Sequence, residues 1–261
     1  MQFQKTIKNW EGLAQTDMLW SICTNPHKKG GKWQIAEFLA MGETEMEGVF
    51  ALLKENNVAL PDYKKALDFG SGVGRLSAAL SKRFEEVVAI DAAPSMLEAG
   101  KKLHQNTANI RWVLNQAPNL NVLGEEQFSF IYSSIVLQHI PAPESVSLLQ
   151  AMLQKLKPQG IMCIQIPVKD VRNLGFFTRL RTRLKLRERL AAVGIGKGFQ
   201  MNMYCIDDAT VKKMIQQNKA ILLAEFFTNH TAPDFDGEIK ILPPDQIQDF
   251  ESKLYIIRKE A

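Results

Sequence analysis

Apolar and polar positions alternate in two different ways along the 261 residues of the chain. Up to about residue 60 the apolar positions recur at helical spacing. Trp10, Leu13, Met18 and Ile22 form one such series, NPHKKGGKW makes a turn, and a second apolar face runs over 35–53. From Lys64 onward, short β-branched runs alternate with amphipathic stretches, the pattern of βαβ units around a parallel sheet. This pattern predicts strands over 66–69, 86–91, 110–114, 128–133, 160–167, 221–227 and 253–258. It predicts helices over 74–84, 94–103, 143–156 and 207–218, with a further pair between 171 and 193. KPQG at 157–160 predicts a turn that feeds the fifth strand. No repeat and no linker rich in Gly, Ser or Pro divides the chain. The expected fold is α/β, a doubly wound, mostly parallel sheet of seven strands. A helical cap over 1–60 precedes a 61–261 body that carries a helical insert at about 168–206.

Composition narrows the class. With 46% hydrophobic and 23% charged residues the chain can bury a substantial core, which excludes a collagen-like or low-complexity polymer. Cys23, Cys163 and Cys205 form no CxxC pair, which argues against a disulfide framework or a zinc site. No apolar run approaches the roughly 18 residues of a membrane span, and the start lacks the apolar core of a secretory signal. A cytoplasmic protein with no metal and no membrane partner is expected. The net charge of +4 invites a nucleic-acid partner until its location is considered. Residues 179–189 carry +5 by themselves (Arg179, Arg181, Arg183, Lys185, Arg187 and Arg189 against Glu188), which leaves −1 for the rest. The excess belongs to one segment of the insert, where a solvated helix face is the ordinary explanation.

The chemistry concentrates in Leu67-Asp68-Phe69-Gly70-Ser71-Gly72-Val73-Gly74-Arg75-Leu76, which follows a predicted strand and opens a predicted helix. Glycines there let the backbone turn sharply and approach a ligand closely. Asp91 ends the next strand, placed to accept both hydroxyls of an adenosine ribose. A nicotinamide site would put its third glycine where Arg75 stands. Asp68 would repel a pyrophosphate at the helix start, whereas a cofactor with a cationic ammonium and sulfonium tolerates it.

Four blocks in register, ALDFGSGVGRLS, VVAIDAAPSML, FSFIYSSIVLQHIP and LKPQGIMCIQIP, resemble the class I S-adenosylmethionine-dependent methyltransferases, in particular the group acting on small molecules. The resemblance covers residues 66–166, and ILLAEFF and KLYIIRK suit that family's final hairpin. It implies a Rossmann-like methyltransferase fold, S-adenosylmethionine as cofactor, and transfer to an O, N or C nucleophile of a small organic acceptor. By that resemblance Gly70, Ser71, Gly72 and Gly74 cradle the methionine end of the cofactor, with Asp68 near its amino group. Asp91 and Ala92 hold the ribose, and Met96 packs on the adenine. Gln116 and Ala117 stand where the family often has an acid–alanine pair on the adenine amino group, and Ser133 completes the set.

Methyl transfer from a sulfonium is an in-line displacement, so the protein must align the reactants, exclude water and, where needed, remove a proton. The loop running from Ser133 through Pro141 lies at the sheet edge where ligands bind. His139 in that loop is the candidate general base and a candidate substrate contact, with local hydrogen bonding as its competing role. Trp33, after Gly30 and Gly31, and Tyr204, after the insert, are further candidate substrate contacts. Gly194, Gly196 and Gly198 suggest a joint that would make the insert a lid. The loop lacks the Asn/Asp-Pro-Pro-aromatic block of nucleobase amine methylation and the nucleophilic cysteine of cytosine methylation, so nucleic acid loses ground. Cys163 falls inside a strand, where a buried inert thiol is expected. Asp234, Asp236 and Glu238 read as a solvated loop. Two alternatives stay open: an RNA or protein methyltransferase that docks through 179–189, and a non-catalytic protein that binds S-adenosylmethionine.

Overall fold

The computed structural model describes residues 2–172 and 201–261. Strands β1 (Lys65–Phe69), β2 (Glu86–Asp91), β3 (Ile110–Leu114), β4 (Phe128–Ser133) and β5 (Leu156–Asp170) run parallel. After them come β6 (Ala220–Phe227) and β7 (Phe250–Lys259), the latter antiparallel to both β5 and β6. The seven strands form one sheet in the order β3-β2-β1-β4-β5-β7-β6. The order reverses between β1 and β4, which opens a crevice beyond their carboxyl ends.

The strands are nearly unbroken apolar runs because both faces of the sheet are covered. Successive residues point to opposite sides. Leu67, Val88, Ile131 and Ile164 join one core, and Ala66, Val87, Phe130 and Cys163 join the other. On the first face lie α5 (Ala142–Lys155) and α6 (Asp208–Gln217); on the second lie α2 (Ile35–Glu55) and α3 (Arg75–Ser81). Leu148, Leu149, Met152 and Leu153 make the buried stripe of α5, each side chain contributing roughly 1.5–3 kcal/mol by leaving water. Pro at its first turn and Pro141 before it set the entry of α5. Helix α4 (Pro94–Leu103) follows β2.

Within the first sixty residues the two helices take different places. Helix α2 is a layer of the sheet, whereas α1 (Gln2–Ile22) runs across the crevice edge, burying Phe3 and Ile7 in the first core. At Asp17 the helix breaks its geometry (φ −155°, ψ 84°), and the Asp17 carboxylate accepts from the Gly30 and Gly31 amides at 2.7 and 3.1 Å. The glycine turn predicted from NPHKKGGKW is thereby pinned to α1.

Strand placement follows the hydrophobic pattern, with differences concentrated in β5 and at the start of β7, which begins at Phe250. KPQG is not a free turn but an irregularity inside β5: Phe128 pairs with Leu156 and Phe130 with Ile161, and Gln159 takes φ +63° in between. β5 also continues to Asp170, so residues 168–170 belong to the sheet. The predicted helix pair, the basic 179–189 segment and the glycine joint lie outside the described residues.

Candidate functional site

The loop between β1 and α3 is shaped by three left-handed glycines, Gly70 (φ +78°), Gly72 (φ +54°) and Gly74 (φ +85°). A Cβ on Gly70 would overlap the Val136 side chain, and one on Gly72 would lie 2.8 Å from Ile22 Cδ1. The loop is therefore held between the end of α1 and the segment after β4. The Gly70 and Ser71 amides donate to Ile90 O at 2.8 and 3.0 Å. Asp91 completes the frame, its carboxylate accepting from the Gly72 amide at 2.9 Å and the Ala93 amide at 2.8 Å. Burial pushes the Asp91 pKa above its ordinary value against the pull of these amides.

A cavity opens at this point. Gly70, Ser71 and Gly72 line it with Ile90, Asp91, Ala92, Ala93 and Met96 from the β2 side, and with Ser134, Ile135, Val136 and His139 from the β4 side. Phe3, Thr6, Ile7, Trp10 and Ile22 of α1 form a further wall, and none of these was assigned to the site from the sequence. Their signal was present in the i, i+4, i+7 spacing of Phe3, Ile7 and Trp10, which also describes an ordinary core face. Helix α1 is tied to the cavity's edges. Gln4 donates to Gln116 O at 3.1 Å, and Glu11 accepts from the Ser95 amide at the start of α4 at 3.3 Å.

Several expected residues stand elsewhere. Gly74 lies behind the cavity, where a Cβ would overlap Trp112. Ser133 Oγ turns back to donate to Phe69 O at 3.0 Å, and the next residue, Ser134, lines the cavity instead. Gln116 is exposed and donates to Ala92 O at 3.1 Å, leaving the wall to Asn115. Asn115 takes that place because its amide extends the β3 register to Asp91 O at 2.9 Å, while its side chain donates to Ala117 O and Asn119 O. Trp33 is buried against Phe38 with Nε1 donating to Cys23 O at 3.2 Å, and it lines neither cavity. Tyr204 donates its amide to Gln138 O at 2.7 Å, and its neighbours Met201 and Met203 line a second cavity. Asp234, Asp236 and Glu238 lie on the exposed loop that the sequence predicts.

Asp68 is fully buried beneath the glycine loop. Its Oδ2 accepts from Ser77 Oγ at 2.5 Å, while Oδ1 has no partner, and neither does Ser71 Oγ or Ser134 Oγ. Burial drives the Asp68 carboxyl up to about 7. An orphaned carboxylate oxygen and two orphaned hydroxyls around a tight glycine turn suit a ligand carrying an ammonium and further polar groups. They do not suit a pyrophosphate, which Asp68 would repel. The donor set fits S-adenosylmethionine.

His139 is buried and donates from Nδ1 to Asn202 O at 2.9 Å; a carbonyl only accepts, so the ring proton is on Nδ1. Nε2 faces Gln138 Nε2 at 3.2 Å and accepts from it. The ring also meets Trp10 edge-on at 4.9 Å. Burial pushes the imidazole down to about 4, against the pull of Asn202 O. A neutral ring with both nitrogens engaged orients its surroundings well and takes up a proton poorly. His139 and Ile135 border both the first cavity and the second, which Met201, Met203, Phe235 and His230 help to line. No charged side chain is among the described residues that line this second cavity.

The chain aligns with known proteins over this same region. Residues 66–160 match the family described as methyltransferase domain. The chain is 32% identical over 157 residues to the biotin biosynthesis bifunctional protein BioHC of Cellvibrio japonicus, covering 56% of this chain and 29% of that protein. It is 30% identical over 117 residues to a trans-aconitate 2-methyltransferase of Methylobacterium radiotolerans, covering 42% and 40% of the two chains. The chain thus spans less than half the length of these relatives. The solved magnesium protoporphyrin IX methyltransferase ChlM of Synechocystis PCC 6803, with bound SAH, superposes with a TM-score of 0.55 at 15% identity, covering 89% of this chain and 91% of the other. That likeness is one of fold.

Proposed function

We infer that this chain, which carries a class I S-adenosylmethionine-dependent methyltransferase domain, moves the methyl group of that cofactor onto an O, N or C atom of a small organic acceptor. The observation that carries the reading is the glycine turn, with orphaned Ser71 and Ser134 hydroxyls lining a cavity edged by Asp91 and the orphaned Asp68 oxygen buried beneath the turn. Bound S-adenosylmethionine supplies an activated methyl carbon on a sulfonium leaving group.

The rest falls to the chain. Gly70 and Gly72 admit the ligand close to the backbone, and Asp68 counters its ammonium charge. Asp91 keeps lone pairs free after accepting two amides and would take ribose hydroxyls. Met96, Ala93 and Ile90 offer an apolar surface for the adenine, with Asn115 at its edge. Phe3, Ile7 and Trp10 keep water from the reacting atoms, which strengthens every polar contact inside. The second cavity is the place for the acceptor, with His139 at the junction as a fixed hydrogen-bonding group rather than a proton sink. Alignment and desolvation then carry the rate.

Titration calorimetry with S-adenosylhomocysteine tests the cofactor site. Asp91→Ala is expected to weaken binding by about 1.5–3 kcal/mol, as for a charged hydrogen bond. A folded Asp91→Ala variant with unchanged affinity would overturn the assignment. Release of S-adenosylhomocysteine in the presence of small hydroxy, amino and carbon-acid acceptors tests the transfer.

A further inference from the structure

Ile135 stands at φ +62°, in the left-handed region. For a β-branched residue that backbone is strained, and strain of this kind persists only where the surroundings enforce it. The enforcing contact is a hydrogen bond from the Ile135 amide to Oε1 of Gln165 at 2.8 Å. Gln165 is fully buried in β5, and its own amide nitrogen is fixed by Ser252 Oγ at 2.8 Å on β7, with a longer 3.4 Å contact to Gln138 Oε1. The chain of amides continues from Gln138 to His139 and on to Asn202 O. One side chain in the sheet therefore governs two things: the backbone of Ile135, and the orientation of the Gln138–His139 pair.

The consequence reaches both cavities. Ile135 borders each of them, and the following residue, Val136, fills the space that a Cβ on Gly70 would need. A change in the Ile135 backbone would swing Val136 off the glycine turn and remove the wall between cofactor and acceptor. We propose that Gln165 is a positioning residue for methyl transfer: it clamps Ile135 in its left-handed conformation and so fixes the partition between the two binding cavities. The partition's role rests on the methyltransferase reading above; the clamp itself is a property of the fold.

The test combines Gln165→Leu, Gln165→Glu and Ile135→Gly, measured by calorimetry with S-adenosylhomocysteine and by hydrogen exchange at the residue 135 amide. Gln165→Leu is expected to weaken binding at least about ten-fold and to remove protection of the Ile135 amide. Gln165→Glu keeps an acceptor oxygen and is expected to restore affinity to within about three-fold of wild type. Glycine adopts the left-handed backbone without steric cost, so in an Ile135→Gly background the Gln165→Leu change should cost no more than about three-fold. Wild-type affinity with an unchanged Ile135 amide in Gln165→Leu overturns the proposal. So does a loss that neither Gln165→Glu nor Ile135→Gly relieves, since general core damage would behave that way. If Gln165→Leu alone fails to fold, recovery of folding in the double variant supports the clamp and no recovery overturns it. A wild-type chain that binds no S-adenosylhomocysteine refutes the methyltransferase reading instead, and amide exchange still decides the clamp.

Discussion

Asp68 makes a prediction that runs against intuition: replacing this residue of the glycine motif should stabilise the protein near neutral pH. The carboxyl is completely buried and shares only one of its oxygens, with Ser77. Burial lifts it from an ordinary 3.8 to about 7. A carboxyl raised in the folded state holds its proton while the unfolded chain has already released it. Between about pH 4 and 7 the folded state therefore binds more protons, and stability falls as pH rises through that window. The full loss corresponds to about 4 kcal/mol at 1.36 kcal/mol for each pH unit. Asp68→Asn mimics the protonated form, since its Oδ1 can still accept from Ser77, and it does not titrate.

The assay is urea unfolding of wild type and Asp68→Asn at half-unit steps from pH 4 to 8. His139 and His230 are both pushed down to about 4 by burial, so they make stability rise with pH over part of the range. They are common to both proteins and cancel in the difference. The stability of Asp68→Asn minus that of wild type should grow by up to about 4 kcal/mol between pH 4 and 7 and then level off. A flat difference refutes the buried, half-satisfied carboxyl. S-adenosylhomocysteine should close the gap, because its ammonium favours the ionised form only in wild type. Stability withheld at a binding position and recovered when its ligand is added is the expected signature of a functional residue.

Glu45 and Arg75 form a fully buried pair at 2.7 Å, and the Tyr132 hydroxyl donates to the same carboxylate at 2.8 Å. Glu45→Ala should cost about 3–5 kcal/mol in urea unfolding because it strands the guanidinium, and Glu45→Gln should cost clearly less; equal losses would mean that the charge is immaterial. For His139 the expectation is a wild-type rate of methyl transfer, measured at saturating S-adenosylmethionine so that protonation of Asp68 does not limit binding, that does not fall as pH drops from about 7.5 to 5.5, since a ring pushed down to about 4 stays neutral throughout. A fall centred on the ordinary imidazole range of about 6.5, abolished in His139→Gln, would restore His139 as the base.

The sheet was legible in the sequence because β-branched runs and glycine punctuation are local signals, and β2, β3 and β4 fall where the pattern puts them. Gly70 and Gly72 could be read as a tight turn because their spacing is local, and Asp91 as the end of the next strand; all three line the first cavity. What could not be read was set by distant contacts. Asn115 rather than Gln116 faces the cavity because β3 keeps its register with Asp91 for one residue more. Trp33 goes to the core because α2 supplies Phe38 beside it. His139 has the residue type of a base, but its proton affinity depends on its burial and on the carbonyl of Asn202, sixty-three positions away. The pattern of Gln165 in a strand gives no hint of its clamp, because the residue it holds is thirty positions away.

Arg75 explains how the G-x-G-x-G spacing works without a glycine in its place. In dinucleotide-binding turns the third glycine lets the following helix pack closely. Here the demand for space moves to the facing helix. A Cβ on Gly42 of α2 would overlap Arg75 O and lie 2.7 Å from Arg75 Cγ, so the glycine is needed in α2 rather than in the loop. Three residues further along the same helix, Glu45 receives the guanidinium, and Tyr132 brings β4 into the same contact. A buried ion pair adds little net stability, but it ties α2, α3 and β4 together directly behind the turn. The glycine loop is thus held from behind by a charged clamp and from the front by Ile22 and Val136. Its conformation is set before any ligand arrives, so binding energy is not spent on ordering it.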